Sequence, residues 1–183
     1  DIDGTLLNSG GVGRASMQRA LAEVFGSAGN PSYRYDGKTD KQIVRDTMRL
    51  EGHSDEHIDS RMETLIGLYL DGLRTGVKSG KFQVRPLDGV VELLDALEAR
   101  KDVVLGLLTG NLERGARMKL ALPDFSRYFP FGAFGSDSPD RYRLPPIALE
   151  RLGVLDLRLL GIPVVSARIE LVPPGRDGPT SEG

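Results

Sequence analysis

The string DIDGTL at residues 1–6 places two carboxylates, Asp1 and Asp3, on either side of a single apolar residue. On a regular strand such side chains point to the same face at a fixed spacing. If the strand breaks near Asp3, which Gly4 permits, the two carboxylates can approach one phosphate from different directions. One can then attack phosphorus while the other moves a proton to the leaving oxygen. The competing interpretation is an ordinary Asp-x-Asp-Gly surface turn.

A second polar group, Thr109, Gly110 and Asn111, follows the apolar run Val103–Leu108. A run that is apolar on both faces predicts a buried strand of a parallel sheet. Ligands of such sheets bind at the carboxyl ends of the strands. A hydroxyl and backbone N–H groups at a strand–helix junction can hold phosphoryl oxygens. On its own, however, this segment could equally be a plain loop.

Composition excludes several classes of function. The 183 residues carry a net charge of −2 and no cysteine, so disulfides, thiol catalysis and zinc–thiolate sites are excluded. The charge gives no basic surface for nucleic acid or for a membrane. No apolar run approaches the ~20 residues that span a bilayer. In the absence of a visible signal peptide we expect a cytoplasmic location.

Periodicity divides the chain into two kinds of structure. Residues 14–80 predict helices only, with Ser54 as the N-cap of the third, along which residues 58–73 form an apolar stripe. Met17, Met62 and Tyr69 are predicted core positions. After Gly80, helices and strands alternate: a helix over 86–100, the strand 103–108, a helix over 113–122, a strand over 131–134 and a helix from 145. The apolar residues of the first of these helices are predicted to face inward, namely Val90, Val91, Leu93, Leu94 and Leu97. This alternation predicts a doubly wound α/β core. The Pro- and Gly-rich segment 161–183 predicts an irregular tail.

The DIDGTL string resembles the first motif of the haloacid dehalogenase (HAD) superfamily, and the segment around Thr109 resembles its second. The resemblance implies a Rossmannoid doubly wound parallel sheet formed by residues 1–13 and 81–160. The helical block 14–80 resembles the cap inserted in the subgroup that includes phosphoglycolate phosphatase and β-phosphoglucomutase. Within the cap, Lys38 lies in a segment that resembles the one facing the active site. We therefore expect Lys38 to contact the substrate, although a surface role is as compatible with its position.

The resemblance also implies roles for individual residues. Asp1 is the expected nucleophile and Asp3 the acid–base, while Thr109, Gly110 and Asn111 bind phosphate. HAD enzymes carry a lysine or arginine that neutralises charge at the phosphate. The candidates are Arg141 first, Arg143 as the near alternative, and Lys119 as the weaker choice. His53 and His57 have a metal-compatible spacing but flank a helix start, and we interpret both as surface residues.

Mg²⁺ is the implied cofactor, with Asp1 and Asp3 as its ligands. The family's fourth motif, an acidic cluster of the form Gly-Asp-x-x-x-Asp, is not recognisable after Gly153, where the acidic residues are Asp156, Glu170, Asp177 and Glu182. The chain also begins directly at Asp1. We therefore expect a fragment with weak or no activity and low stability.

The leading hypothesis is a phosphatase that acts on a small phosphorylated metabolite, as a monomer or homodimer. A phosphomutase of the same fold retains both aspartates and stays open. A haloacid dehalogenase proper needs no acid at the position of Asp3, which argues against that chemistry. A catalytically inactive HAD-fold protein is the alternative from a different class.

Overall fold

The computed structural model describes residues 1–154, so the predicted tail and the segment 155–160 of the predicted core lie outside the described residues. The helices are α1 Val12–Phe25, α2 Asp40–Leu50, α3 Asp55–Lys78, α4 Val90–Glu98, α5 Glu113–Ala121 and α6 Leu144–Val154. The strands are β1 Leu7–Asn8, β2 Arg85–Pro86, β3 Gly106–Thr109 and β4 Phe131–Phe134, and 3-10 turns cover Phe125–Tyr128 and Arg141–Arg143. None of the helices in this part of the chain has the length and hydropathy needed to cross a membrane.

Helices α1, α2 and α3 pack around a shared apolar cluster. The predicted start of α3 is confirmed, because the Ser54 side chain accepts a hydrogen bond from the His57 N–H. The apolar stripe along α3 is buried as predicted, with Leu65 and Leu73 fully inaccessible. The predicted core positions Met17, Met62 and Tyr69 are also buried. The cluster extends beyond the helical block to Leu112, at the start of α5.

A second cluster lies under the α/β part, where Ile2, Leu7, Leu107 and Phe134 are buried together. Strands β3 and β4 pair in parallel, with Gly106 opposite Phe131 and Thr109 opposite Phe134. Helix α6 packs on both strands. The predicted strand 131–134 is therefore confirmed, and the ladder ends at Thr109, which places this residue at the carboxyl edge of the sheet.

The parallel sheet is smaller than the sequence predicts. In the described residues it comprises β3 and β4, while β1 and β2 form a separate antiparallel pair. At residues 1–6 the sequence predicts the end of a strand that runs into a turn at Gly4. The turn is present, because the Ile2 carbonyl accepts the backbone N–H groups of Leu6 and Leu7, but the strand end is reduced to an isolated bridge between Asp3 and Leu7. The predicted strand start at Val103 is also wrong. The ladder begins at Gly106, where its four-residue partner β4 begins.

The helix predicted over residues 86–100 is shorter and less buried than expected. Pro86 pairs with Leu7 in the β1–β2 ladder, and Gly89 takes a left-handed conformation (φ 77°) directly before the helix. Helix α4 therefore begins at Val90. Of the positions predicted to face inward, Leu94 is buried, but Leu93 is 57% exposed.

Candidate active site

A tight turn at the start of the chain positions the two aspartates. Ile2 is fully buried in the second apolar cluster, so the flanking Asp1 and Asp3 are left on the opposite side of the backbone. Gly4 follows in the left-handed region (φ 74°), where a residue with a side chain is strained. Its N–H donates to the Leu7 carbonyl at 2.9 Å. The turn thus fixes both carboxylates immediately before the chain reverses.

Each carboxylate oxygen of Asp1 has a defined partner. The Thr109 hydroxyl donates to Oδ1 at 2.9 Å. The Arg141 guanidinium donates to Oδ2 at 2.6 Å and forms an ion pair with it. The Asp1 side chain is 28% exposed, so it remains open to a ligand. Residues more than a hundred positions apart therefore meet at Asp1.

Asp3 faces a buried lysine. The Lys119 ammonium lies 2.5 Å from Asp3 Oδ2 and 2.7 Å from Asn111 Oδ1. The Asn111 amide nitrogen also donates to Asp3 Oδ2, at 3.2 Å, and to the Thr109 hydroxyl, at 2.9 Å. Only 3% of the Lys119 side chain is exposed, against 41% for Asp3. A single hydrogen-bonded network therefore joins both aspartates to Thr109, Asn111 and Lys119.

The charges in this network shift the ionisation of its members. Burial alone raises the pKa of Asp3, but the Lys119 ammonium and hydrogen bonds from Lys119, Ser9 and Asn111 outweigh it, so the pKa of Asp3 lies below its usual value. Burial lowers the pKa of the Arg141 guanidinium, which nonetheless stays a cation at neutral pH. Asp3 is accordingly a carboxylate when no ligand is bound.

A cavity of about 380 Å³ opens onto these side chains. Its floor includes both aspartates together with Gly110, Asn111, Lys119 and Arg141, and its opposite wall comes from the helical block. That wall includes Arg14, Tyr35, Lys38, Asp40 and Tyr69. Such a volume suits a small molecule. Thr109 is fully buried beneath Asp1 and supports the floor from behind.

Two cations line the wall of the cavity. The Arg14 guanidinium lies 4.4 Å from the centre of the Tyr35 ring and donates to the Pro31 carbonyl at 3.3 Å. The Lys38 ammonium donates to the Tyr33 hydroxyl at 2.6 Å and to Asp46 at 3.1 Å. Lys38 therefore lies at the cavity, as the sequence predicts, but with its charge paired to Asp46. Sequence reasoning overlooked Arg14, and its place at the start of α1, just after a glycine cluster, gave little reason to select it.

Asp40 and Tyr69 form a buried polar pair in the same wall. Burial raises the pKa of Asp40, although the Lys119 charge and the Leu112 N–H act in the opposite direction. Burial and the nearby Asp40 carboxylate raise the pKa of Tyr69 well above 10. Tyr69 therefore remains a neutral phenol, which suits a hydrogen-bond donor. The sequence signal for Asp40 was its position directly after the N-cap of α2.

The three cations considered at the sequence level occupy different places. Arg141 contacts Asp1 and Lys119 contacts Asp3, whereas Arg143 is exposed and does not line the cavity. The signal for Lys119 was its helix face. It follows the buried Gly115 and Ala116 by four and three residues, which places it on the buried side of α5. Gly13 leaves room for it, because a Cβ there would lie 3.1 Å from the ammonium.

The two histidines are distant from this chemistry. Their rings stack on each other with centroids 5.3 Å apart, and the ring of Phe25 packs against both. Neither lines the cavity. This arrangement agrees with their interpretation as surface residues.

The residues present fit a hydrated divalent cation better than a closed metal cage. Residues 1–154 contain no group of three or more His, Cys, Asp or Glu side chains that could hold a metal ion. Mg²⁺, however, usually retains several waters and binds through one or two carboxylates together with substrate phosphate. Asp1 and Asp3 provide two partly exposed carboxylates at one cavity. The acidic residues after Gly153 lie outside the described part of the chain.

Comparison with known proteins places this site in a family. The family model of haloacid dehalogenase-like hydrolases matches residues 1–141, a span that contains both aspartates, the Thr109 loop, Lys119 and Arg141. No curated protein sequence matches the chain. Because the family model covers most of the 183 residues, the chain belongs to the haloacid dehalogenase-like hydrolases.

Proposed function

We propose that this hydrolase removes the phosphoryl group of a small phosphomonoester through an aspartyl-phosphate on Asp1. The observation that carries the proposal is the convergence of two carboxylates, a hydroxyl and two cations at one cavity of about 380 Å³. A site for a phosphate dianion needs cations and donors around a nucleophile. The substrate is a small phosphorylated metabolite, because the wall formed by the helical block limits the space above Asp1.

In the first step, an oxygen of Asp1 attacks phosphorus and the bond from phosphorus to the leaving oxygen breaks. Asp3 supplies the proton that the leaving oxygen takes up. The lowered pKa of Asp3 opposes its protonation, but the negative charge of a bound phosphoryl group raises a carboxyl pKa again. In the second step, water attacks phosphorus, Asp3 accepts the proton, and inorganic phosphate leaves with Asp1 restored.

The remaining residues hold the phosphoryl oxygens and their charge. Arg141 and Lys119 lie on the two sides of the aspartate pair and neutralise the charge that accumulates in the transition state. Thr109 and Asn111 orient the two aspartates from below. HAD hydrolases generally use Mg²⁺, which Asp1 and Asp3 would hold here and which would supply further positive charge to the phosphate.

We further propose that residues 14–80 act as a helical cap, as in the phosphoglycolate phosphatase and β-phosphoglucomutase subgroup. Two observations support this: these helices pack around their own apolar cluster, and the same block supplies Arg14, Tyr35 and Lys38 to the cavity wall. Caps that close over a site exclude water and select the substrate.

The experiment is a hydrolysis assay with p-nitrophenyl phosphate, with and without Mg²⁺, on the wild-type chain and two aspartate variants. Asp1→Asn should abolish phosphate release, because an amide cannot form the acyl-phosphate. Asp102→Asn is the matched control, since Asp102 is exposed and pairs with Arg100 alone among the described residues. Hydrolysis that persists in Asp1→Asn at the rate of the Asp102→Asn control would reject the proposal.

A further inference from the structure

The N-terminal turn of α2 is in contact with two separate loops of the active site. Thr39 is fully buried, and its hydroxyl donates to the Pro139 carbonyl at 2.7 Å. The same oxygen accepts the N–H of Gln42 at 3.2 Å and caps the helix. Pro139 lies two residues before Arg141, the cation on Asp1. One side chain of the helical block thus holds the loop that delivers this cation.

The next residue, Asp40, holds the second loop. Its N–H donates to the Gly110 carbonyl at 2.9 Å, and its Oδ2 accepts the Leu112 N–H at 2.9 Å. These two bonds lie on either side of Asn111, the residue that links Asp3, Thr109 and Lys119. Asp40 is itself buried, so water does not compete for these bonds. Asn111 is therefore held between two hydrogen bonds from α2.

The backbones at this junction are packed without spare room. A Cβ on Gly110 would lie 2.0 Å from the Lys38 carbonyl oxygen. A Cβ on Gly135 would lie 2.1 Å from the Gly110 carbonyl oxygen. The turn of α2, the Gly110 loop and the Gly135 loop are thus stacked in direct contact. A shift of the α2 turn must therefore displace both loops.

A comparison inside the chain separates this arrangement from ordinary capping. Ser54 caps α3 by accepting the His57 N–H at 3.3 Å, and it lies at an exposed position. Thr39 caps α2 in the same way but also bonds to a loop a hundred residues away. Capping alone therefore does not account for the burial of Thr39 or for its second hydrogen bond.

We propose that Thr39 and Asp40 are positioning residues, which fix Arg141 and Asn111 relative to the aspartate pair. This inference rests on the proposed phosphatase function. If Thr39 and Asp40 have this role, the helical block supports the floor of the cavity as well as forming its wall. Misplacement of reacting groups by about 1 Å can reduce rates by on the order of 10²-fold.

The test uses a matched pair of threonine variants, one at the N-cap of α2 and one within that helix. Thr47 is buried like Thr39, but its hydroxyl has no hydrogen-bond partner among residues 1–154. Thr39→Val and Thr47→Val are therefore the same chemical change, but only Thr39→Val removes a hydrogen bond to an active-site loop. The measurements are kcat and KM for p-nitrophenyl phosphate, inhibition by inorganic vanadate, and urea unfolding of each variant.

Thr39→Val should lower kcat/KM by about 10- to 100-fold and weaken vanadate inhibition by a similar factor. Thr47→Val should match the wild type in both, and Thr39→Ser should recover most of the loss because it retains the hydroxyl. Ser54→Ala controls for the loss of a helix cap. If Thr39→Val lowers only the free energy of unfolding, while its kcat and its vanadate inhibition equal those of Thr47→Val, Thr39 is a structural residue and the inference is wrong.

A second pair keeps the test decisive if Thr39→Val does not fold. Asp40→Asn retains an oxygen that can accept the Leu112 N–H, whereas Asp40→Ala leaves that buried donor without a partner. Vanadate inhibition should be about tenfold weaker in Asp40→Ala than in Asp40→Asn. Equal effects of the two changes would overturn the role of Asp40. A wild-type chain without hydrolysis or vanadate binding would refute the proposed function itself, and this inference with it.

Discussion

Replacing Lys119 by methionine tests the electrostatics of the site most sharply. Methionine fills the volume of the lysine stem but removes the ammonium that contacts Asp3 and Asn111. The loss leaves Asp3 without its cation and the Asn111 oxygen without its donor. Because the Asp3 side chain is 41% exposed, water can replace part of the lost interaction in the ground state. We therefore expect a folded variant, destabilised by about 1–3 kcal/mol.

The effect on catalysis should be larger. Two unit charges about 4 Å apart attract by ~4 kcal/mol at an effective dielectric constant of about 20. Lys119 is nearly inaccessible to water, so most of this attraction is available to a developing transition-state charge. The loss of one preorganised donor in other enzymes costs about 10²–10³ in kcat, or roughly 3–4 kcal/mol. We predict a fall of that size for Lys119→Met.

Arg141→Met should lower kcat by about one order of magnitude, which is less than the loss in Lys119→Met. The reason is that Arg141 is 25% exposed and its charge is better screened. Initial rates of p-nitrophenyl phosphate hydrolysis at saturating Mg²⁺ measure both effects, and urea unfolding measures the folded fraction. Lys101→Met is the matched lysine control on an exposed turn, and Arg143→Met is the matched arginine control. If Lys119→Met retains the rate of Lys101→Met, the buried ammonium has no catalytic role and the reasoning fails.

Three further outcomes follow from other contacts. Thr47→Val should raise the free energy of unfolding by about 1 kcal/mol, measured in urea, because it removes a buried hydroxyl that has no partner in the described part of the chain. A loss of stability would show that the hydroxyl is satisfied. Arg151→Met should cost about 1–2 kcal/mol at neutral pH, since Arg151 forms two hydrogen bonds with Asp137. Burial opposes ionisation of Asp137, but Arg151 and the Phe134 N–H hold its pKa below the usual value. That stabilisation is present above the unfolded pKa of about 3.9 and is lost as pH falls through the folded pKa. The difference in the free energy of unfolding between Arg151→Met and the wild type should therefore shrink in acid. A difference that stays constant with pH would contradict this prediction. Gly110→Ala should abolish vanadate binding, because its Cβ would overlap the Lys38 carbonyl oxygen, and near-normal binding would show that the loop can move.

The sequence predicted those elements whose signals are local. The apolar stripe of α3 and its Ser54 cap depend on residues within a few turns of each other, and both are confirmed. The ends of strands were harder to predict, because a strand extends only as far as its pairing partner. Val103 is apolar and β-branched, yet the ladder begins at Gly106, opposite the first residue of β4. The start of α4 was likewise decided by the pairing of Pro86 with a distant strand.

Site residues divide in a similar way. Asp1, Asp3 and Thr109 belong to short motifs that can be read directly, and the structure brings them together. Lys119 was the weaker candidate beside Arg141, although its spacing from Gly115 and Ala116 places it on the buried side of α5. Its contact with Asp3 depends on the room that Gly13 leaves and on the packing of α5 against the start of the chain. The contact joins residues 116 positions apart, so the sequence indicates the burial of Lys119 but not the carboxylate that it meets.

The central claim is that Asp1 becomes covalently phosphorylated during turnover. Acid-quenching the Mg²⁺-loaded protein during hydrolysis of p-nitrophenyl phosphate, followed by borohydride reduction, converts an aspartyl-phosphate to homoserine. Mass spectrometry of the N-terminal peptide then locates it. Homoserine should appear at position 1, and in larger amount in Asp3→Asn, because the second step there lacks its base. Phosphate release without modification at position 1 would contradict the account, as would homoserine at position 3 instead.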